Sequence, residues 1–375
     1  MSGKRYLYEQ VYDSLKEKIE SGAYGCGDLL PSEREIGETF NVDRTTVRQA
    51  LKMMVADGLV EKQAGVGTRV VQQAPPAHKP SPSRMLAFFL PTSTKKSDRI
   101  TEPFYATLFY NLEKECKNHN YTLVYSTLDS NDDFPAILQG NNYAGIFFTS
   151  NVDRRFIDYA LSAGIPSVLL NDYYPPLMSV VPDNFYGMIS ACEHLLSLGH
   201  RRFALIKGIS SYLSTAERYS ACVVAFQRAG LDIENMYSEE TTWESGSGYT
   251  AARNILEKAA GDLPTAIIAF NDSLAMAALQ AVHEKGLRVP EDISVVGFDD
   301  IEQVKHTYPP LTTVSQNIPL FAKTALHNLL TQLDNPSDVY KVRVIIPSTL
   351  VVRNSTGVPN ASRPSLQLPK KAARA

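Results

Sequence analysis

Residues 265–300, TAIIAFNDSLAMAALQAVHEKGLRVPEDISVVGFDD, decide the architecture of most of the chain. TAIIAF (265–270) and DISVVGF (292–298) are apolar throughout, and 271–286 between them is amphipathic. A strand covered on both faces reads as such a run, and a helix between two of them makes a parallel β-α-β unit. The alternation extends outward. MLAFFL (85–90), YTLVYS (121–126), AGIFFT (144–149), PSVLLN (166–171) and RFALIK (202–207) are further runs. Amphipathic stretches at 103–118, 153–163, 184–198, 213–229, 247–260 and 318–333 separate or follow them. About 270 residues is long for one open sheet, so the pattern predicts an α/β domain with two lobes of doubly wound parallel sheet.

Such sheets bind ligands beyond the carboxyl ends of their strands. Three polar pairs stand there: Asn171-Asp172, Asn271-Asp272 and Asp299-Asp300. Each pair also suits a helix cap, and three of them together favour a polar cleft. Arg218 lies early in the helix at 213–229, and Trp243, the sole tryptophan, sits in the polar stretch EETTWESGSG. An aromatic face suits the C–H faces of a sugar while Asp, Asn and Arg read its hydroxyls. A surface ion pair for Arg218 and a packing role for Trp243 are the alternatives.

Towards the amino end, Pro75, Pro76, Pro80 and Pro82 mark a Pro-rich linker over 73–84. Before it, residues 1–72 read as a separate α+β unit. Leu7, Val11, Leu15 and Ile19 line one face of a helix over 6–21. Ser32 and Glu35 make a capping box for a second helix, and Asp43 caps a third that stops at Gly58. Two short helices across a tight turn form a helix-turn-helix, and LVEKQAGVGTRVV (59–71) reads as a β-hairpin. In the third helix Val47, Ala50, Leu51 and Met54 point inward, while Arg44 and Arg48 share a face beside Thr45 and Thr46. Such a cluster suits phosphates and base edges in the major groove. Gly65 and Gly67 allow a hairpin tip to approach the DNA backbone, with Arg69 near a phosphate. With 10 Lys+Arg against 11 Asp+Glu in residues 1–72, a helical domain with a solvated arginine face is an alternative on pattern alone.

The 375-residue chain carries a formal charge of −3, which excludes a bulk polycation but not a local basic surface. Four dispersed cysteines without a CxxC pair fit a reduced, cytoplasmic protein. No secretory signal and no membrane-length apolar run are read. The seven histidines lack metal-ligand spacing, and no GxSxG elbow occurs, so neither a metal, a cofactor nor catalytic residues are expected. Gly246-Ser247-Gly248-Tyr249-Thr250-Ala251 resembles a dinucleotide loop but follows no apolar strand, so a helix start is the better account. The tail over 358–375 is basic, Pro-containing and expected to be disordered.

PSEREI, DRTTVRQALKMMVADGLVE and GVGTRVV, in that order after a helix, closely resemble the winged helix-turn-helix of GntR-family regulators. The resemblance implies DNA contacts at Arg34, Arg44, Thr45, Thr46 and Arg48 and at the wing glycines Gly65 and Gly67. Residues 85–357 resemble the effector domain of LacI/GalR repressors, most specifically over 181–208, AERYSA and 265–317. That implies ligand contacts at Arg218, Asn271 and Asp299, then Asn171, Trp243, Phe104 or Tyr105, with Thr92 and Ser150 in the less similar first lobe. It also implies a homodimer, operator DNA and a small sugar as partners, with no membrane association. The usual LacI-type hinge helix is replaced by the GntR-type reader and linker, so minor-groove bending is not carried over. The combination is similar to arabinose-responsive repressors, which makes L-arabinose the first effector to test. Two other classes are a transporter's solute-binding protein and a fusion to a pyridoxal-phosphate aminotransferase-like domain. The DNA reader and the missing signal oppose the first. The second needs a longer chain after residue 85 and a Schiff-base lysine region.

Overall fold

A computed structural model describes residues 6–20, 23–63, 66–71, 83–92, 99–259, 261–335 and 341–360. Gly65, nearly all of the Pro-rich linker and most of the basic tail lie outside the described residues. The chain divides into two compact units, Met1–Ser83 and Arg84–Ala375.

The first unit runs α1 (Leu7–Glu20), α2 (Glu33–Phe40), α3 (Arg44–Ala56), β1 (Val60–Gln63) and β2 (Gly67–Val70). Ser32 accepts from the Glu35 backbone N–H while the Glu35 carboxylate accepts from Ser32, closing the capping box. Asn41 turns the chain in the left-handed region at φ 50°, and the Asp43 side chain accepts from the Thr46 N–H to start α3. Val11, Leu15 and Ile19 meet Ile36, Val47, Ala50, Leu51 and Met54 in one core, closed by Val60 and Val70 of the hairpin. Each fully buried Leu or Ile there contributes roughly 1.5–3 kcal/mol relative to exposure. Leu7 departs from the expected face: as the first residue of α1 it is exposed, and the packed stripe begins at Val11. Gly67 pairs with Gln63 at φ 134°, a conformation that side chains rarely adopt.

In the second unit the chain continues through β3 (Met85–Pro91), α4 (Pro103–Asn118), β4 (Thr122–Leu128), α5 (Phe134–Asn141), β5 (Gly145–Thr149), α6 (Arg154–Ser162), β6 (Ser167–Leu170) and β7 (Ser179–Pro182). It crosses to α7 (Asn184–Ser197), β8 (Phe203–Lys207), α8 (Leu213–Arg228), β9 (Tyr237–Glu240), α9 (Ser245–Lys258), β10 (Ala266–Ala269), α10 (Asp272–Glu284), β11 (Ser294–Asp299) and β12 (Thr312–Ser315). Last come α11 (Ile318–Asp334), β13 (Arg343–Ile346) and β14 (Thr349–Val351). One six-stranded sheet has the order β13-β7-β6-β5-β3-β4, the other β14-β12-β11-β10-β8-β9. All pairings are parallel except β12 with β14.

Continuous apolar runs arise because both faces of each sheet are covered. Ile267 and Ala269 pack with α9 and α10, while Ala266 and Ile268 pack with α7 and α8. The chain passes between lobes three times. α11 leaves β12 of the second sheet and packs against α4 in the first lobe; β13 then joins the first sheet and β14 the second. The seven apolar runs become β3, β4, β5, β6, β8, β10 and β11. The pattern did not anticipate β7, β9, β12, β13, β14 or α5.

Candidate ligand cleft and nucleic-acid interface

A cavity of about 330 Å³ lies where the carboxyl ends of the two sheets face each other. All nine effector-side candidates line it: Thr92 after β3, Ser150 after β5, Asn171 after β6, Asn271 after β10, Asp299 at the end of β11, Trp243 before α9, Phe104 and Tyr105 on α4, and Arg218 on α8. The polar pairs divide their work. Asn171 lines the cleft, whereas Asp172 accepts from Arg154 at 2.9 Å and from the Asn151 N–H at 3.2 Å. Asn271 both lines the cleft and caps α10, its Oδ1 accepting from the Leu274 N–H at 2.8 Å. Asp272 is fully buried behind it, accepting from the Thr313 hydroxyl at 2.5 Å and the Ile301 N–H at 3.0 Å. Burial pushes the Asp272 carboxyl well above the usual range, and the nearby Asp299 adds to this. Asp300 pairs with Arg353 at 2.6 Å.

Arg218 is buried. Its Nε donates to Asn184 at 2.9 Å, an Nη donates to the Phe270 carbonyl, and Nη2 lies 3.7 Å from the Asp299 carboxylate. The guanidinium also stacks 3.7 Å from the Phe298 ring centroid. Burial brings the Arg218 pKa down to about 10, with Asp299 opposing the shift. Asp299 is pushed up to about 7 by burial, against the pull of Arg218 and of the Gln316 amide that donates to it. In the first lobe the Tyr105 hydroxyl lies 2.6 Å from Ser150 Oγ, and an Nη of Arg99 donates to it at 2.6 Å. The Thr92 hydroxyl donates to Asp129 at 2.9 Å.

Two features of the cleft suit a bound guest. Among the described residues, Asn171 Oδ1, Gln316 Oε1 and Trp243 Nε1 are buried without a hydrogen-bond partner, and all three residues line it. Buried polar groups are ordinarily paired, and an unpaired one costs roughly 1–3 kcal/mol. Asn151, Asn171, Trp243 and Asp299 on its wall also hold positive φ values of 65°, 57°, 71° and 125°. Strained backbone of this kind gathers at ligand sites.

Sequence reading missed Arg99, Glu102, Tyr212, Glu244 and Gln316 on the same wall. Gln316 directly follows β12, so the same rule of polar residues after strands finds it once TTVS is read as a strand. The Gly246–Ala251 stretch lies in the first half of α9, a helix start as expected.

In the first unit Arg34, Arg44, Thr45 and Arg48 are exposed, and Thr46 is half-buried. Arg34 pairs with Glu38 at 2.9 Å. Arg44 and Arg48 lie 3.0 and 2.9 Å from Glu33, and Lys62 of β1 lies 2.8 Å from the same carboxylate. Hydrogen bonds from Lys62, Arg48 and Arg44 hold Glu33 down at about 2. Neither Glu33 nor Lys62 stood among the expected contacts. Arg69, expected near a phosphate, is half-buried with an unpaired Nε. Among the described residues no helix is long and apolar enough to cross a membrane, and no cluster of three or more His, Cys, Asp or Glu suits a metal ion.

Residues 7–70 match the bacterial regulatory proteins of the gntR family, and 192–356 match a periplasmic binding protein-like domain. The HTH-type transcriptional repressor PurR of Photobacterium profundum is 31% identical over 266 residues, 68% of this chain and 78% of the relative. A LacI family transcriptional regulator from Enterococcus faecium, with bound ribose, superposes with a TM-score of 0.66 at 25% identity, over 74% of this chain and 100% of that one. The lac repressor dimer bound to operator and the anti-inducer ONPF gives a TM-score of 0.64 at 25% identity, over 74% of this chain and 96% of that one. A helix-turn-helix reader and a two-lobed sensor define a transcription regulator. The chain belongs to the LacI-type regulators and carries a gntR-family reader at its amino end. The relatives it matches are regulators rather than enzymes.

Proposed function

We propose that this chain is a homodimeric, cytoplasmic repressor released from its operator by a small sugar held between the lobes of its second unit. The observation that carries the reading is the convergence of three unpartnered polar atoms, from Asn171, Trp243 and Gln316, beside aromatic faces in one interlobe cleft. Sugar hydroxyls both donate and accept, so one ring satisfies all three. Arg218, Asn271 and Asp299 are the principal readers, aided by Asn171, Trp243, Phe104, Tyr105, Thr92 and Ser150. L-arabinose is the first candidate, and the ribose-bound relative supports a monosaccharide of that size. Residues 1–72 form the reader, 73–84 a linker, 85–357 the sensor and 358–375 a basic tail.

Arg34, Arg44, Thr45, Thr46 and Arg48, with the wing around Gly65 and Gly67, take the DNA. Phosphate contacts supply most of the affinity, and Arg44 and Arg48 choose bases. Two protomers read two half-sites, and sugar-driven lobe closure alters their spacing. A transporter's binding protein has no use for the gntR-family reader, which favours the regulator. The test pairs two variants of the full chain in operator and sugar titrations. Arg48→Ala is expected to weaken operator binding by roughly 1–3 kcal/mol and keep sugar binding. Asp299→Ala is expected to lose the sugar response and keep operator binding. Unchanged operator affinity in the first, or an intact sugar response in the second, contradicts the assignment.

A further inference from the structure

The two lobes are tied by a side-chain ion pair as well as by the three crossings. Arg343 of β13, in the first sheet, donates from an Nη at 2.5 Å to Glu217 Oε1 of α8, in the second lobe. Their side chains are 26% and 20% exposed, so water and salt screen the pair less than a surface one. The guanidinium also lies over the Tyr173 ring, 5.5 Å from its centroid. A pair within one lobe stabilises that lobe whatever the other does. This pair is made only while the lobes keep the relation seen here, so its free energy is a difference between lobe arrangements.

The tie runs on into the cleft. Glu217 Oε2 accepts from the Asn184 amide at 3.0 Å, and Asn184 Oδ1 accepts from Arg218 Nε at 2.9 Å. Arg218 lies 3.7 Å from Asp299, to which the Gln316 amide donates. Asn184 opens α7 just after the first crossing, Gln316 lies at the second, and β13 leads into the third. One chain of charged and amide groups therefore connects all three places where the backbone passes between lobes. Arg218, Asp299 and Gln316 line the cavity; Asn184, Glu217 and Arg343 do not. Glu217 is divided between Asn184 and Arg343, and Arg343 Nε is buried without a partner. A Glu217 carboxylate released by Asn184 has both oxygens free for the two arms of the guanidinium, which is the stronger geometry. A guest that draws Arg218 off Asn184 thus alters the tie without touching it. Networks with two discrete arrangements of this kind carry coupling between distant parts of a fold.

We propose that Arg343 and Glu217 are positioning residues that set the balance between lobe arrangements, and that Asn184 passes the state of Arg218 in the cleft to them. This deepens the sensor reading above and rests on its lobe movement, not on which molecule fills the cleft.

The test is acrylamide quenching of tryptophan fluorescence on the full chain without sugar. Trp243 is the sole tryptophan, it lines the cavity, and its Nε1 is buried in this arrangement, so departure from the arrangement exposes it. Glu217→Gln and Arg343→Met are each expected to raise the quenching constant at least twofold. The double variant is expected to go no further than the larger single effect, because either change breaks the same tie. Glu217→Gln keeps the side chain's shape, and its quenching decides if thermal scans show that Arg343→Met does not fold. A second readout uses L-arabinose, D-ribose, D-glucose and D-galactose, screened by thermal shift. For the sugar that binds, both single variants are expected to weaken affinity at least threefold although neither residue lines the cavity. Unchanged quenching in either folded single variant, or additive increases in the double, overturns the inference and leaves the sugar reading standing. So does full affinity for a bound sugar in both variants. A shift with none of the four sugars overturns the sugar reading, and the quenching still decides the inference.

Discussion

At the scale of single residues, the cleft depends on one indole and the glycine that makes room for it. Trp243 is held at φ 71°, and a Cβ built on Gly208 would lie 2.0 Å from its ring. Neither can yield without moving the other, so Gly208 after β8 is as much a part of the site as the tryptophan. Gly208→Ala is expected to displace the indole and weaken sugar binding at least tenfold, with operator affinity in the absence of sugar unchanged. Calorimetry and DNA titration on the variant check both, and retained sugar affinity argues against Trp243 as a wall of the site. Trp243, Arg218, Asn271 and Asp299 were legible in the sequence because each is an unusual polar or aromatic residue at a place a parallel sheet makes special. Gly208 and Arg99 were not. A glycine's role is set by what leans on it in space, and Arg99 reaches Tyr105 and Ser150 only through the folded first lobe.

At the scale of elements, α2, α3 and β1 are tied together at Glu33, which receives Arg44 and Arg48 from one side and Lys62 from the other. The arrangement holds two expected DNA-reading arginines on one carboxylate before any DNA arrives. It also fixes a pH dependence. Glu33 is held at about 2 instead of its ordinary 4.5, so its stabilising effect is present above about pH 4.5 and is lost as the pH falls towards 2. Glu33 sits near the surface, so solvent screening keeps the effect modest. Acid titration of thermal unfolding on the full chain is expected to show a shallower loss over that window in Glu33→Gln than in the unaltered protein; identical slopes contradict the tie. Elements buried on both sides were readable from their apolar runs, as with AGIFFT and TAIIAF. Of those missed, β9, β12 and α5 lack that signal. β9 is YSEE, with alternating exposure at a sheet edge; β12 is TTVS, buried yet polar; α5 is eight residues carrying Pro135 and Gly140. The capping box at Ser32 was readable because cap chemistry is local.

At the scale of the whole molecule, the sensor is two sheets joined by three crossings, with Gln316 at the second of them, between β12 and α11. Gln316 donates to Asp299 and keeps Oε1 unpaired, so a ligand in the cleft touches a segment linking the lobes. Two lobes were legible from length and alternation; the return of α11 and β13 to the first lobe was not, because chain order carries no record of which sheet a late strand joins. Coupling between sensor and reader is a differential free energy, typically about 1–3 kcal/mol, and it is reciprocal. The most direct measurement is fluorescence anisotropy of a labelled duplex, selected from random sequence by the sugar-free protein, titrated with the full chain with and without saturating sugar identified by thermal shift. The account predicts that sugar weakens DNA binding by roughly 5- to 150-fold. A dissociation constant for DNA that is the same with the cleft filled as with it empty contradicts it.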